Sequence, residues 1–184
     1  VMEPEFLIVG YGKMGGLELS YGSDLDLVFL HNGTPNKYTT GVDGKREQEN
    51  VVFYTRMGQR LIHIMNTTTR AGQLYEVDMR LRPSGASGMI VASMKAFEKY
   101  QTEEAWTWEH QALVRARVIC GESNVAEKYH QIRGEILSKE RNHTNLQQEV
   151  REMRQKMRDN LGSQSVGKAE YQLKQDAGGI VDIE

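Results

Sequence analysis

Two aspartates with one residue between them, Asp24 and Asp26, are the residues of this chain best suited to chemistry. The segment that begins between them, Leu25–Leu30, is aliphatic, aromatic and β-branched, which predicts a strand. Residues two apart on a strand share a face, so the two carboxylates point the same way. The opposite face then carries Leu25, Leu27 and Phe29. Two carboxylates about 4 Å apart repel by roughly 4 kcal/mol at an effective dielectric of about 20. A fixed pair of this kind therefore favours a divalent cation, and oxygen ligands suit Mg²⁺, which completes its shell with water and substrate phosphates.

A second alternating segment, Tyr75–Arg82, offers a third carboxylate. Its apolar face would carry Tyr75, Val77, Met79 and Leu81, and its polar face Glu76, Asp78, Arg80 and Arg82. If this strand lies beside the first, Asp78 joins the aspartate pair, and Arg80 and Arg82 are available for phosphate oxygens. The alternative is an edge strand with a solvated, charged face. The metal-and-phosphate interpretation explains better why three aspartates and two arginines follow a glycine-rich segment.

The glycine-rich segment Gly10-Tyr-Gly12-Lys-Met-Gly15 has the spacing of a dinucleotide-binding fingerprint. That fingerprint requires a helix directly after the glycines, within a unit of about thirty residues. Here only residues 16–21 precede the aspartate strand, which leaves room for a turn or two of helix. We therefore interpret the glycines as allowing backbone N–H groups to approach phosphates.

The remaining pattern predicts short strands and several helices. A helix over Val51–Asn66 would pack through Phe53, Met57, Leu61, Ile64 and Met65. Trp106, Trp108, Leu113, Val114 and Ile119 would be mostly core residues of a helix over Glu103–Cys120, whose Arg115 and Arg117 either reach phosphates or are surface charges. The other predicted elements are strands at Phe6–Val9, Met89–Ala92 and Tyr171–Lys174, and helices at 93–101, 124–137 and 144–161, with a long polar loop at 31–50.

Composition limits the class of protein. The chain has 184 residues, 39% hydrophobic and 26% charged, as is ordinary for a globular protein. Its net charge of −2 argues against non-specific nucleic-acid binding. The single cysteine, Cys120, excludes an internal disulfide and fits a cytoplasmic setting. No apolar run is long enough to span a membrane. Because the chain starts on a strand-like run and ends at Ile183-Glu184 within a predicted helix, we interpret it as a fragment, truncated at its carboxy terminus.

The spacing from Gly12 to Asp24-Leu-Asp26 resembles the signature of the DNA-polymerase-β-like nucleotidyltransferase superfamily. In that superfamily a glycine turn precedes an acidic-x-acidic strand, and a third acidic strand follows. One departure is Lys13, where Ser or Gly is usual. A hydroxyl contact to phosphate is then lost or replaced by an ammonium, and Gly22-Ser23 is a second source of that hydroxyl.

A closer resemblance is to the glutamine synthetase adenylyltransferases, and it covers nearly the whole chain. Tyr21-Gly22 and the Trp-Thr-Trp-Glu-His run at 106–110 are similar to the carboxy-terminal, adenylylating half of those enzymes. The resembling runs are Val9–Gly16, Tyr21–Phe29, Tyr75–Gly85, Trp106–Arg117 and Gly178–Glu184.

The resemblance implies an α+β fold with a small mixed, polymerase-β-like sheet followed by helices. We expect residues 1–92 to form the sheet core with one long helix, and residues 93–184 a helical segment that completes the catalytic domain. The implied activity is Mg²⁺-dependent transfer of AMP from ATP to a tyrosine of glutamine synthetase, which regulates nitrogen assimilation. A PII-type signal protein and glutamine would regulate the full-length enzyme, without nucleic acid or membrane as partners.

The expected site residues follow from both lines of argument. Asp24, Asp26 and Asp78 would be catalytic and would hold two Mg²⁺ ions, with Asp78 on the acceptor side. Nucleotide binding is assigned to Gly12, Lys13, Gly22, Ser23, Arg80 and Arg82, and the resemblance alone adds Lys174. The resemblance leaves open whether Asp182 and Glu184 are ligands or charges at a helix start. Alternatives are a nucleotidyltransferase acting on RNA or a small molecule, the deadenylylating, phosphorolytic half of the same enzymes, or a catalytically silent module that binds nucleotide.

Overall fold

The computed structural model describes residues 5–39, 46–73, 75–163 and 171–183. Within residues 5–139 the described strands form one five-stranded mixed sheet, and helices pack on both of its faces. The strands are β1 (Phe6–Gly10), β2 (Leu25–His31), β3 (Val77–Asp78), β4 (Val91–Ser93) and β5 (Arg117–Gly121). The helices are α1 (Gly12–Gly15), α2 (Asn50–Asn66), α3 (Met94–Glu103), α4 (Thr107–Val114), α5 (Ser123–Ser138) and α6 (His143–Leu161), with 3₁₀ turns at Gly85–Ser87 and Ile180–Asp182. The predicted α+β fold with a small mixed sheet is confirmed.

The aspartate strand β2 is central to the sheet. It pairs antiparallel with β1, and its other edge pairs in parallel with β3 near its start and with β4 near its end. β5 extends the sheet beyond β1. The strands on either side of the glycines are therefore antiparallel, and the helix after Tyr11 is one turn long. A dinucleotide-binding unit needs parallel strands and a crossover helix, so the structure confirms that the glycine spacing is not such a unit.

Alternation along β2 divides the core into two clusters. Leu25, Leu27 and Phe29 pack with α2 on one face, as predicted. Val28 and Leu30 pack on the other face with residues of α3, α4 and α5. The period of two puts Asp24 and Asp26 on this second face, ahead of its covered part; Asp24 is exposed and Asp26 is half-buried.

Truncation of Leu27 is expected to destabilise the protein strongly. Leu27 of β2 is 1% exposed, so Leu27→Ala leaves a cavity and should lower the free energy of unfolding by about 2–5 kcal/mol. Denaturant unfolding measures this change. Ile64→Ala on α2 removes the same number of carbons from a side chain that is 61% exposed, and should cost less than about 0.5 kcal/mol. Equal changes in the two variants would contradict the register of β2.

The helix α2 confirms the predicted helix but corrects its core stripe. Phe53, Met57, Leu61 and Met65 pack against the sheet, whereas Ile64 faces outward. Tyr54 and Gly58 are the buried residues of this helix. A Cβ on Gly58 would lie 2.6 Å from a methyl carbon of Val91. The helix therefore turns a glycine toward the sheet, and this rotation carries Ile64 away from it.

The predicted helix over Glu103–Cys120 is wrong. The chain forms the short helix α4 and then the edge strand β5, which pairs with β1. Trp106 and Trp108 are exposed by 59% and 37%, so they are not the core residues expected; Leu113 is buried. Cys120, the last residue of the predicted helix, is exposed on β5. Pairing with β1 overrides the local helical pattern at this position, as tertiary context often does.

Two further predicted strands are shorter or absent. The strand predicted over Tyr75–Arg82 contains only Val77–Asp78, after which the chain turns at Arg80. Leu81 consequently packs into the other core cluster from Tyr75 and Met79. The segment 171–174 is coil and turn rather than a strand.

The chain divides into two compact units, residues 1–139 and 140–184. The predicted boundary after residue 92 does not coincide with this division, because α3 and α5 pack on the sheet of the first unit. In the second unit Arg154 of α6 pairs with Asp182 and donates to the carbonyl oxygen of Gln175 at 2.7 Å. Asp182 thus has a structural ion pair, and Glu184 lies outside the described residues. None of the described helices has both the length and the apolar character needed to cross a membrane.

Candidate active site

The register of two parallel strands brings two of the three predicted carboxylates together. Asp26 of β2 stands directly opposite Asp78 of β3, and Leu25 opposite Val77. The backbone N–H of Leu25 donates to the carbonyl of Glu76 at 2.8 Å, which holds the two strands in this register. Asp24 lies just before β2 and is exposed. The three carboxylates are therefore carried by the start of β2 and by the short strand β3 that pairs with it.

The glycine turn lies against the same carboxylates. Gly12 has φ +51°, in the left-handed region that favours glycine. A Cβ at this position would lie 2.5 Å from Oδ2 of Asp26, so no other residue fits without displacing the carboxylate. The backbone N–H of Tyr11 donates to the carbonyl oxygen of Asp26 at 2.9 Å. The structure thus places the predicted turn glycine in contact with the predicted metal ligand.

Arg80 covers Asp78. Its Nε donates to Oδ2 of Asp78 at 2.7 Å, and its backbone N–H donates to Oδ1 at 2.8 Å. These hydrogen bonds lower the pKa of Asp78 and raise the pKa of Arg80, to which Asp26 and Asp24 contribute by charge attraction. The positive charge of this one guanidinium therefore interacts with all three carboxylates. Its side chain is 81% exposed, so it can rotate toward solvent or toward a ligand.

Arg82 is directed away from this group. Its guanidinium donates to the backbone carbonyls of Met79 at 2.7 Å, Ala86 at 2.9 Å and Gly88 at 3.1 Å. The turn after Asp78 gives this side chain a different direction from Arg80, although an extended strand would have placed both on one face. In this structure Arg82 organises the loop that includes the 3₁₀ turn at Gly85–Ser87.

The other predicted nucleotide ligands differ in their surroundings. Lys13 is exposed on α1. Gly22 is exposed with φ +72°, and the following Ser23 is buried. The Ser23 hydroxyl lies 3.1 Å from the hydroxyl of Ser20 and accepts from the Ser20 N–H at 3.2 Å, so it stabilises this turn. Lys174 is exposed in the second unit, residues 140–184.

The donor set fits a hard divalent cation. Asp24, Asp26 and Asp78 offer only carboxylate oxygens, the ligands that Mg²⁺ prefers. A cationic group, the Arg80 guanidinium, already lies on Asp78, which shows that this position favours positive charge. Within the described ranges, no group of three or more His, Cys, Asp or Glu side chains is gathered as a metal centre. Loading with metal would therefore require side-chain rotation, including departure of Arg80.

Arg115 and Arg117 bind the glycine turn. Arg115 forms an ion pair with Glu18, and Arg117 donates to the carbonyl oxygens of Met14 and Gly15. Sequence reasoning missed these contacts because it assigned both arginines to a helix. The β-branched run Val118-Ile119 after Arg117 is the signal that could have indicated a strand.

Comparison with known proteins assigns the family. A model of the family described as glutamate-ammonia ligase adenylyltransferase matches residues 2–132. A bifunctional glutamine synthetase adenylyltransferase/adenylyl-removing enzyme from Pseudomonas syringae pv. tomato is 55% identical over 99% of this chain. Proteins of the same description from Thioalkalivibrio sulfidiphilus and Vibrio parahaemolyticus are each 54% identical, over 99% and 97% of this chain. The chain spans 19% of the first of these relatives and 18% of the other two.

One solved structure is similar over most of the chain. It is described as a toxin–antitoxin crystal structure with AMP-PNP, is 14% identical, and covers 86% of this chain and 88% of its own. Its TM-score of 0.33 is too low to support an argument about the site.

Proposed function

Since the chain belongs to the glutamate-ammonia ligase adenylyltransferase family, we propose that it carries the centre that transfers AMP from ATP to a tyrosine hydroxyl of glutamine synthetase. The observation that carries this proposal is the opposed pair Asp26 and Asp78 beside the glycine turn. Carboxylates clustered near a sharp glycine turn suit the handling of a polyphosphate. The relatives are named for adenylyl transfer and for adenylyl removal, and we assign this chain to transfer.

In the proposed reaction the acceptor hydroxyl releases its proton to solvent, and its oxygen attacks the α-phosphorus of ATP in line. The bond from that phosphorus to the bridging oxygen breaks, and pyrophosphate leaves. Asp24, Asp26 and Asp78 would hold two Mg²⁺ ions, with Asp78 on the acceptor side. When bound, Mg²⁺ neutralises phosphate charge and lowers the pKa of the acceptor hydroxyl. The protein's own residues would hold the acceptor oxygen in line with the α-phosphorus of ATP, so that the two reactants meet in the productive orientation.

Arg80 would change partner during this cycle. Its guanidinium neutralises Asp78 in this structure. A phosphate oxygen is an equally good partner for a guanidinium, with bidentate geometry. Gly12, Lys13, Gly22 and Ser23 would surround the triphosphate with backbone and side-chain donors.

The charge balance favours a folded protein over a nucleic acid as the acceptor. A protein that grips a polynucleotide neutralises several phosphates with Lys and Arg. This chain has 23 basic and 25 acidic residues. Several of its arginines are already committed to internal carbonyls or carboxylates, among them Arg82, Arg117 and Arg133. Regulation of the full-length enzyme by a PII-type protein and glutamine would then act on this transfer centre.

Offering labelled ATP and Mg²⁺ to the full-length enzyme, with glutamine synthetase in one reaction and structured RNA in another, tests this function. We expect label on the protein acceptor, at tyrosine, and none above background on RNA. The control replaces the tyrosine of the acceptor with phenylalanine and should abolish labelling. Label on RNA but not on glutamine synthetase would reject the proposal in favour of an RNA nucleotidyltransferase.

A further inference from the structure

Three glycines of the glycine turn, Gly12, Gly15 and Gly16, lie where a side chain would meet neighbouring atoms. A Cβ on Gly15 would lie 1.8 Å from the carbonyl oxygen of Arg115, and a Cβ on Gly16 would lie 2.7 Å from Nη2 of Arg115. A Cβ on Gly12 would lie 2.5 Å from Oδ2 of Asp26. The turn therefore lies between the strand β2 and the segment that joins α4 to β5.

Arg117 binds the carboxy-terminal end of α1, the one-turn helix within the glycine turn. Its Nη2 donates to the carbonyl oxygen of Met14 at 2.9 Å and its Nε donates to that of Gly15 at 3.2 Å. The last carbonyls of a helix have no partner within the helix, and a cation there is favourable. A helix of four residues, Gly12–Gly15, cannot persist by itself. Its geometry depends on the groups that hold it from outside.

We propose that Arg117 is a positioning residue for adenylyl transfer: it holds the glycine turn so that Gly12 stays against Asp26. This inference rests on the proposed function, because it assumes that the turn receives ATP. Arg117 acts through the turn and need not touch the nucleotide, since its guanidinium is engaged by two protein carbonyls. Arg115 supports the same segment through its ion pair with Glu18.

The chain offers a matched control for the loss of these bonds. Arg133 of α5 donates to the carbonyl oxygens of Leu113 at 2.9 Å and Val114 at 2.7 Å. Arg133→Ala therefore removes two bonds to helix-end carbonyls, as Arg117→Ala does, but from a residue that does not bind the glycine turn. Arg117→Lys is the conservative variant, because an ammonium lacks the planar fork that reaches two carbonyls together.

The test uses the full-length enzyme with three readouts: hydrogen exchange of the amides in residues 12–18, the thermal midpoint, and KM for ATP with kcat. In Arg117→Ala we expect faster exchange in this segment and a rise of roughly ten- to hundredfold in KM for ATP, as for other supporting residues. Arg117→Lys should fall between wild type and Arg117→Ala. Arg133→Ala should lower the thermal midpoint similarly without changing KM for ATP.

Two results would overturn the inference. One is native KM, kcat and exchange in Arg117→Ala; the other is the same kinetic loss in Arg133→Ala, which would make the effect one of general stability. If Arg117→Ala does not fold, Arg117→Lys carries the same comparison. Failure of the proposed function can be told apart from failure of this inference. If the proposed function is wrong, the wild-type enzyme transfers no AMP, while hydrogen exchange still shows whether Arg117 holds the turn.

Discussion

Asp26→Asn in the full-length enzyme is expected to abolish addition of AMP to glutamine synthetase while leaving removal of AMP intact. Asparagine preserves the shape of the side chain beside Gly12 but removes the charge. Losing one strong electrostatic contact in an active site lowers kcat on the order of 10²- to 10³-fold, and the loss of a metal ligand should be at least as large. Asp24→Asn should behave in the same way. Rates of both activities are measured on the same preparation.

The two activities separate the competing assignments of this chain. Glu98→Gln, on the exposed side of α3, removes a charge elsewhere in the first unit and should leave both rates unchanged. If Asp26→Asn instead eliminated AMP removal and spared addition, the chain would be the deadenylylating half. Near-native rates of both activities in Asp24→Asn and Asp26→Asn would refute the carboxylate site.

Asp78→Asn should lower kcat for AMP addition far more than affinity for ATP. Asp78 is assigned to the acceptor side, so ATP keeps the ligands contributed by Asp24 and Asp26. An asparagine oxygen can still accept the 2.8 Å bond from the backbone N–H of Arg80, so the turn should survive. The ion pair with Arg80 is lost, and that guanidinium becomes available to phosphate. Separate measurement of ATP binding at equilibrium and of single-turnover transfer resolves the two effects.

Glu76 provides the comparison for Asp78. It is exposed two residues earlier on the same segment, and Glu76→Gln removes a charge of the same sign. We expect no change in kcat from that variant. Equal losses of nucleotide affinity and transfer rate in Asp78→Asn would contradict the assignment of Asp78 to the acceptor side.

The sequence was most informative where a strong period coincides with a simple element. Alternation in β2 places Leu27 in the core and Asp26 on the opposite face, and both placements are confirmed. A helix was predicted to begin at residue 93, and the Ser93 hydroxyl caps α3 by accepting from the backbone N–H of Ala96 at 3.1 Å. These features depend on neighbours in the chain, so local pattern suffices.

Pairing between strands that are far apart in the sequence was harder to predict. The segment containing Arg117 can satisfy a helical pattern, and only the free edge of β1 explains why it becomes a strand. The alternation around Arg80 predicted an extended strand, but the Asp78 carboxylate accepts the Arg80 backbone N–H and turns the chain. That turn sends Arg82 to loop carbonyls. Hydrogen bonds between side chains and backbone groups compete with strand pairing. The polar alternation alone does not show which of these two interactions will form.

The most direct test of the central claim is a crystal structure of the full-length enzyme grown with Mn²⁺ and a non-hydrolysable ATP analogue. Mn²⁺ accepts the same oxygen ligands as Mg²⁺ and gives an anomalous signal. We predict metal peaks within about 2.5 Å of carboxylate oxygens of Asp24, Asp26 and Asp78, with the triphosphate beside Gly12 and Arg80 moved away from Asp78. Ordered nucleotide and metal bound elsewhere, with the Arg80–Asp78 pair intact, would contradict the assignment of these carboxylates as the transfer centre.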